Sequence, residues 1–240
     1  MKIYLAGLTS LDKELIKESK YKLESFFYIK DNMNDFLDDN FLLDSGAFTF
    51  ISSKKNKVID WDSYIDKYID FINTKNIKYF FELDIDSIVG LDKVKKITKY
   101  IESKTNKQCI PVWHKSRGLD YWKGLTKDYE YISIGGIVSK EISKKEFAYL
   151  PKLINIAKEQ NTRVHGLGFT WVDYLKYIKF DTVDSTYWSY GNRFGFLFQF
   201  NNGKMNEIDR PENTRLKSQI SMKYNYFEWI KFQRYAEKNL

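Results

Sequence analysis

The chain has 240 residues, 43% hydrophobic and 18% aromatic, with a mean hydropathy of −0.52. This composition excludes disorder, and no apolar run approaches the roughly 20 residues of a membrane-spanning helix. A single cysteine, Cys109, excludes an intrachain disulfide and a cysteine-based zinc site. The net charge of +7, from 39 basic and 32 acidic residues, suits a polyanionic partner and equally the lysine-rich bias of an AT-rich genome. The length predicts one domain over 1–240, since roughly 200–250 residues is common for α/β barrels. Residues 1–7 read as a strand rather than a leader, and the expected compartment is the cytoplasm.

Short apolar runs alternate with amphipathic stretches. The predicted strands are 2–6, 26–30, 41–45, 78–84, 108–113, 131–135, 163–168 and 182–186. Between them, Leu11, Leu15 and Ile16 share a helical face behind a Thr9-Ser10 cap. Trp61, Tyr64, Ile65, Tyr68 and Ile72 follow a helical period after Asp60, as do Leu91, Val94, Ile97 and Ile101, and then Leu119, Trp122 and Leu125. Ser143 and Glu146 have capping-box spacing, Pro151 suits a first helical turn, and Thr170 is expected to cap a helix over 171–178. Eight strands alternating with helices predict an α/β fold, a (β/α)8 TIM barrel over about 1–190. A doubly wound open sheet is the alternative, without a Gly-x-Gly-x-x-Gly after the first strand to support it. Asn202-Gly203 predicts a hairpin over about 194–208, and a C-terminal helix is expected over about 215–238.

Function in a barrel gathers at the C-terminal ends of the strands. Asp44-Ser45-Gly46 ends the third strand, Asp84 and Asp86 the fourth, and Trp113-His114 the fifth. Gly135-Gly136 ends the sixth, His165-Gly166-Leu167-Gly168 the seventh, and Asp184-Ser185-Thr186 the eighth. Carboxylates crowded at one mouth repel each other, and such a cluster persists where a cation or a reaction needs it. One outcome is a divalent metal on Asp44, Asp84 and Asp86, since hard cations favour oxygen ligands. Taken singly, Asp-Ser-Gly reads as a turn and Gly-Gly as tight backbone packing.

Taken in order, the motifs resemble the tRNA-guanine transglycosylase family, and most closely its short, phage-type relatives that insert 7-deazaguanines into DNA. The family's Asp-Ser-Gly-Gly-aromatic motif corresponds to Asp44-Ser45-Gly46-Ala47-Phe48, its Phe-Asp pair to Leu83-Asp84, and its Gly-Gly-Leu to Gly135-Gly136-Ile137. Its Met-Gly-Val-Gly corresponds to His165–Gly168, and its Asp-x-Phe-Asp run to Asp181-Thr182-Val183-Asp184, followed at the family's spacing by Arg193 and Gly195. A register with Asp181 as the nucleophile is disfavoured, because Asp181 starts the strand. The chain departs from the pattern at Ala47, at Val112-Trp113-His114 in place of Val-Gln-Gly, and at Trp188-Ser189-Tyr190 in place of Pro-Thr-Arg. It lacks the zinc-binding extension that supports tRNA docking.

The resemblance implies base exchange, guanine for a preQ0-like 7-deazaguanine, through a covalent Asp184–sugar intermediate, with no cofactor or metal. Asp44 is the implied general acid/base. Asp84, with Asp86 as a neighbour, is expected to bind the base together with Ser45, Gly135, Gly136, Trp113 and His114. Phe48 is expected to stack on one face of the base and His165 to cover the other. Arg193 and the lysines of 93–99 and 140–145 are expected to hold phosphates. DNA, single-stranded or with a flipped guanine, is the expected polymer partner. The alternatives are tRNA, a metal-dependent hydrolase and a catalytically silent nucleic-acid-binding barrel.

Overall fold

The structure, a computed structural model, describes residues 1–29, 37–52, 59–209 and 217–240. Its centre is an eight-stranded parallel sheet formed by β1 (Lys2–Ala6), β2 (Lys22–Ser25), β3 (Phe41–Asp44), β4 (Tyr79–Phe80), β5 (Val112–Trp113), β6 (Tyr131–Ile134), β7 (Arg163–Gly166) and β8 (Thr182–Ser185). The order is β4-β3-β2-β1-β8-β7-β6-β5, so the first strand of the chain pairs with the eighth. The sheet is curled. Its outer strands approach each other through a parallel bridge between Phe81 and Ile110. There the Ile110 N–H donates to Phe80 O at 2.8 Å and the Glu82 N–H to Ile110 O at 3.0 Å.

Helices flank the sheet: α1 (Lys13–Lys17), α2 (Ala47–Ser52), α3 (Trp61–Thr74), α4 (Asp86–Val89), α5 (Leu91–Thr105), α6 (Gly118–Asp128), α7 (Leu150–Glu159), α8 (Tyr190–Phe194) and α9 (Ser218–Asn239). Burial on both faces explains the short, apolar strands. On the outer face, Ile3, Leu5, Ile132, Ile134, Val164 and Val183 pack toward the helices. On the inner face, the rings of Tyr4, Phe81 and Tyr131 surround His165 at centroid distances of 6.3, 5.1 and 6.4 Å. The architecture is TIM-like, as the alternation of elements predicts. Among the described residues, no helix is long and apolar enough to cross a membrane.

Several local expectations hold. Asp60 caps α3 by accepting from the Ser63 N–H at 3.0 Å, and the Ser143–Glu146 capping box is formed ahead of α7. The hairpin pairs β9 (Phe196–Asn201) with β10 (Lys204–Asp209) around Asn202-Gly203, although Phe194 itself ends α8.

Others are corrected. The second strand lies at 22–25, ahead of the expected 26–30, and Phe26–Tyr28 form a 3-10 turn; Lys30 lies outside the described residues. Two charged residues disguise this strand. Lys22 is buried on Asp38 at 2.7 Å, and buried Glu24 accepts from the Leu8 N–H at 2.6 Å. Phe26 leaves the strand to pack among Tyr64, Tyr68 and Phe71. Thr9 and Ser10 lie in a 3-10 turn, and Asp12, not they, precedes α1. The helix expected over 171–178 is only a 3-10 turn at Val172–Tyr174, because Trp171 and Tyr174 are drawn against Phe147 at 6.0 and 5.4 Å. The C-terminal helix runs Ser218–Asn239; the part of its expected start at 215–216 lies outside the described residues.

Candidate active site

Asp44 ends β3, Asp84 follows β4, and Asp184 lies in β8, so all three belong to the C-terminal ends of their strands. Asp44 Oδ2 accepts from the Gly46 N–H at 3.0 Å. That tight turn needs glycine: φ at Gly46 is +82°, and a Cβ there would stand 2.7 Å from Tyr64 Oη and 2.9 Å from Phe27 Cβ. Burial, then the charge of Asp84 and, more weakly, that of Asp184, push the Asp44 carboxyl up to about 7. The three carboxylates thus share one electrostatic neighbourhood.

Asp184 is 7% exposed. Its Oδ1 accepts from the Gly168 N–H at 2.6 Å and from His165 Nε2 at 3.1 Å. His165 Nδ1 in turn lies 2.7 Å from Thr182 Oγ1. The alternative Asp181 sits at the other end of the sheet, where its carboxylate accepts from the Val164 N–H at 2.8 Å beside Met1 and Lys2.

Asp84 Oδ2 lies 3.0 Å from His114 Nε2, and Glu141 Oε2 lies 3.2 Å from His114 Nδ1. A carboxylate at each nitrogen favours the ring form that donates at both, the charged one. Burial opposes that charge, but the hydrogen bond and charge of Asp84 outweigh it, and the His114 pKa stands above its ordinary value. Burial also opposes the charge of Glu141. The Ser116 N–H and His114 prevail there, and its pKa is lowered. Gly135 makes room for this clamp, since a Cβ there would lie 2.9 Å from His114 Cε1 and 2.8 Å from Val112 Cγ1.

Beneath the clamp lies a buried ion network. Arg117 donates to Glu82 Oε1 at 2.7 Å, to Val112 O at 2.5 Å and to Asp86 Oδ2 at 3.1 Å. Thr98 and the Val112 N–H complete the Glu82 carboxylate, each at 3.0 Å. Burial would raise Asp86, but Arg117 outweighs it and holds the carboxyl below its usual range. Glu82, Arg117 and Glu141 were not among the candidates drawn from the sequence. Glu82 gave one signal, a charge inside the apolar run 79–83. Arg117 and Glu141, in loops, gave none.

The other candidates divide. Phe48 on α2 is 52% exposed and makes no ring contact among the described residues. Ser45 is buried, its carbonyl accepting from Tyr64 Oη at 2.6 Å, so it serves the turn. The Gly136 carbonyl accepts from the Ile142 N–H at 3.0 Å, with Glu141 against its Cα. Trp113 points the opposite way from His114, as successive strand residues do. It packs on Trp122 at 5.6 Å and donates to Gly118 O at 2.8 Å, apart from the carboxylates. His165, expected to cover a base, presents no exposed face. It is fully buried inside the sheet, underneath Asp184, because both its nitrogens and its ring are held there.

Arg193 is exposed on α8, without an ion-pair partner among the described residues. Asp86 turns to Arg117 rather than to Asp44 and Asp84. Among the described residues, no three acidic, histidine or cysteine side chains converge as a metal-binding group. No protein-family model matches the chain, and a search of the curated proteins finds no match.

Proposed function

We propose that the chain is a base-exchange transglycosylase on a closed (β/α)8 barrel, replacing guanine in DNA with a 7-deazaguanine. The observation that carries this reading is that Asp44, Asp84 and Asp184 stand at three strand ends, near enough for the charges of Asp84 and Asp184 to help burial raise the Asp44 carboxyl to about 7. Closure of the barrel is supported by the Phe81–Ile110 bridge and by the rings meeting around His165.

Asp184 attacks the sugar C1′ as its bond to the base nitrogen breaks, and the bond's electron pair leaves with the base. The oxocarbenium character of that transition state favours a nearby carboxylate. Asp44, at a pKa near working pH, gives a proton to the departing guanine. It takes one back from the incoming deazaguanine, whose nitrogen displaces Asp184 from C1′. Protons given and taken balance, and the enzyme is regenerated. Asp84 accepts hydrogen bonds from the donor edge of the base through the oxygen that His114 leaves free. Phe48, half exposed on α2 four residues beyond Asp44, supplies a stacking face.

Incubation with a labelled deazaguanine, offering DNA and tRNA in parallel, tests the proposal. Label entering DNA supports it. Label entering neither polymer overturns it.

A further inference from the structure

A cavity of about 290 Å³ lies between the connections that follow β6, β7 and β8 and the β9–β10 hairpin. Lys144, Trp171 and Tyr187 in its lining therefore lie beyond the C-terminal ends of their strands, the ends at which Asp184 stands. Trp171 is three residues beyond Gly168, whose N–H holds Asp184, and Tyr187 is three residues beyond Asp184 itself. Three residues of chain span at most about 11 Å.

Its walls carry a mixed chemistry. Trp171, Tyr174 and Tyr187 supply rings, and Trp171 is 42% exposed, which an aromatic serving only the core would not be. Lys144 holds its ammonium 4.7 Å from the centre of the Trp171 ring. Glu207 accepts from the Tyr187 hydroxyl at 2.7 Å, and Asp173 adds a second carboxylate. Trp229 also lines the cavity, and its indole N–H is buried with no acceptor among the described residues.

We infer that this cavity takes the base of a nucleotide adjoining the target guanine; the inference rests on the transglycosylase reading for its substrate strand. The rings stack on the flat base, and stacking of this kind is tolerant of sequence. The carboxylates of Glu207 and Asp173 accept from an exocyclic amino group, so adenine, cytosine or guanine fits better than thymine. Lys144 swings from the Trp171 face to the phosphate that accompanies the base. An inorganic anion alone does not explain two carboxylates in the lining, and a purely apolar ligand does not explain the lysine.

The test is fluorescence anisotropy with labelled single-stranded DNA carrying one guanine, run with wild type, Trp171→Ala and Trp171→Phe. A second set of strands lacks the base on one or the other side of the guanine. Trp171→Ala is expected to weaken binding by about 5- to 150-fold, the loss of one base–aromatic stack. Trp171→Phe is expected to restore most of it, which also controls for folding. Removing the base on one side is expected to cost wild type the same factor and Trp171→Ala nothing.

Equal affinities for wild type and Trp171→Ala, or indifference of wild type to both abasic strands, would overturn the inference. Base exchange by wild type is measured alongside. If exchange fails while the Trp171-dependent loss persists, the cavity stands and the transglycosylase reading falls. If exchange proceeds while the variant binds as wild type does, the cavity falls and the reading stands.

Discussion

His165 Nε2 stands 3.1 Å from Asp184 Oδ1 at the inner face of the sheet, and its Nδ1 stands 2.7 Å from Thr182 Oγ1. Thr182 Oγ1 is also bonded to the Tyr131 hydroxyl. Tyr131, Thr182, His165 and Asp184 thus form one continuous hydrogen-bonded chain. With the Gly168 N–H on the same oxygen at 2.6 Å, Asp184 Oδ1 is fully occupied, and Oδ2 is left to act.

Asp184→Asn is therefore expected to abolish exchange and any covalent adduct while the fold persists, since the amide oxygen can still accept from Gly168 and His165. Denaturing gels of enzyme quenched on labelled DNA read the adduct. Retained exchange in Asp184→Asn, with loss in Asp181→Asn, would move the nucleophile to the other end of the strand.

Asp44 links chemistry to stability. Its carboxyl is raised to about 7 when folded, so between about pH 4 and 7 the folded state binds more protons than the unfolded state. The stability of the wild type therefore falls as pH rises through that window and is level above it. Asp44→Asn removes the effect, with a gain at pH 8 of up to about 4 kcal/mol. Urea melts at pH 4 and 8 check this, the gain appearing at pH 8 and vanishing at pH 4. The same substitution is expected to abolish exchange, and wild-type exchange to peak near pH 7, where Asp44 both gives and takes a proton.

The ends of the strands were legible because a parallel sheet covered on both faces writes short apolar runs that stop where polar residues begin. Asp44, Asp84, Asp184 and His114 stand at such stops. His165 was misplaced because a polar residue in a strand reads as an end, whereas here the interior of the curl is polar enough to hold an imidazole among Tyr131, Thr182 and Asp184. Lys22 and Glu24 hid the second strand for the same reason. Their partners, Asp38 and the Leu8 N–H, are set by tertiary packing that no local pattern records. Glu141 lies 27 residues from His114 in sequence and meets it only through the fold.

Asp84→Ala is expected to weaken binding of the free base by about 10- to 150-fold, the range for a buried hydrogen bond to a charged acceptor. Isothermal titration with a deazaguanine reads it, and an unchanged affinity would remove Asp84 from the pocket.

Glu141→Gln is expected to lower the His114 pKa, since one of the two carboxylates that favour the charged ring is lost. A histidine raised by its partners contributes stability that is lost as pH rises through its folded value. In Glu141→Gln that loss should begin at a lower pH. NMR titration of the two histidines follows it, and a His114 value that does not move would show that Glu141 is a spectator.

If the polymer is held by Lys and Arg, log affinity should fall with log salt at about −0.9 per phosphate neutralised on duplex and −0.7 on single strands. Single-stranded or mismatched guanines should bind better than paired ones, because flipping costs a few kcal/mol of unstacking. Filter binding across a salt series measures both. Arg193→Ala should reduce the slope by about one phosphate. Labelling of tRNA with none of DNA at matched salt would move the substrate to tRNA and leave the chemistry in place.

Helix α9 has a consequence for the order in which the fold can be completed. Gln233 on it donates to Ile3 O at 2.7 Å and Tyr21 O at 2.9 Å, and the Met1 amine donates to Ala236 O at 3.3 Å. Trp229, Phe232 and Ala236 belong to the same buried layer as Ile3 and Leu5 of β1. Within this chain, β1 precedes Trp229, Phe232 and Ala236, which help to cover its outer face, by more than 220 residues. β8, its partner in the sheet, lies only shortly before them in sequence. The outer cover of β1 is therefore completed by contacts of long sequence separation, which are slow to form and need both β8 and α9 to be available.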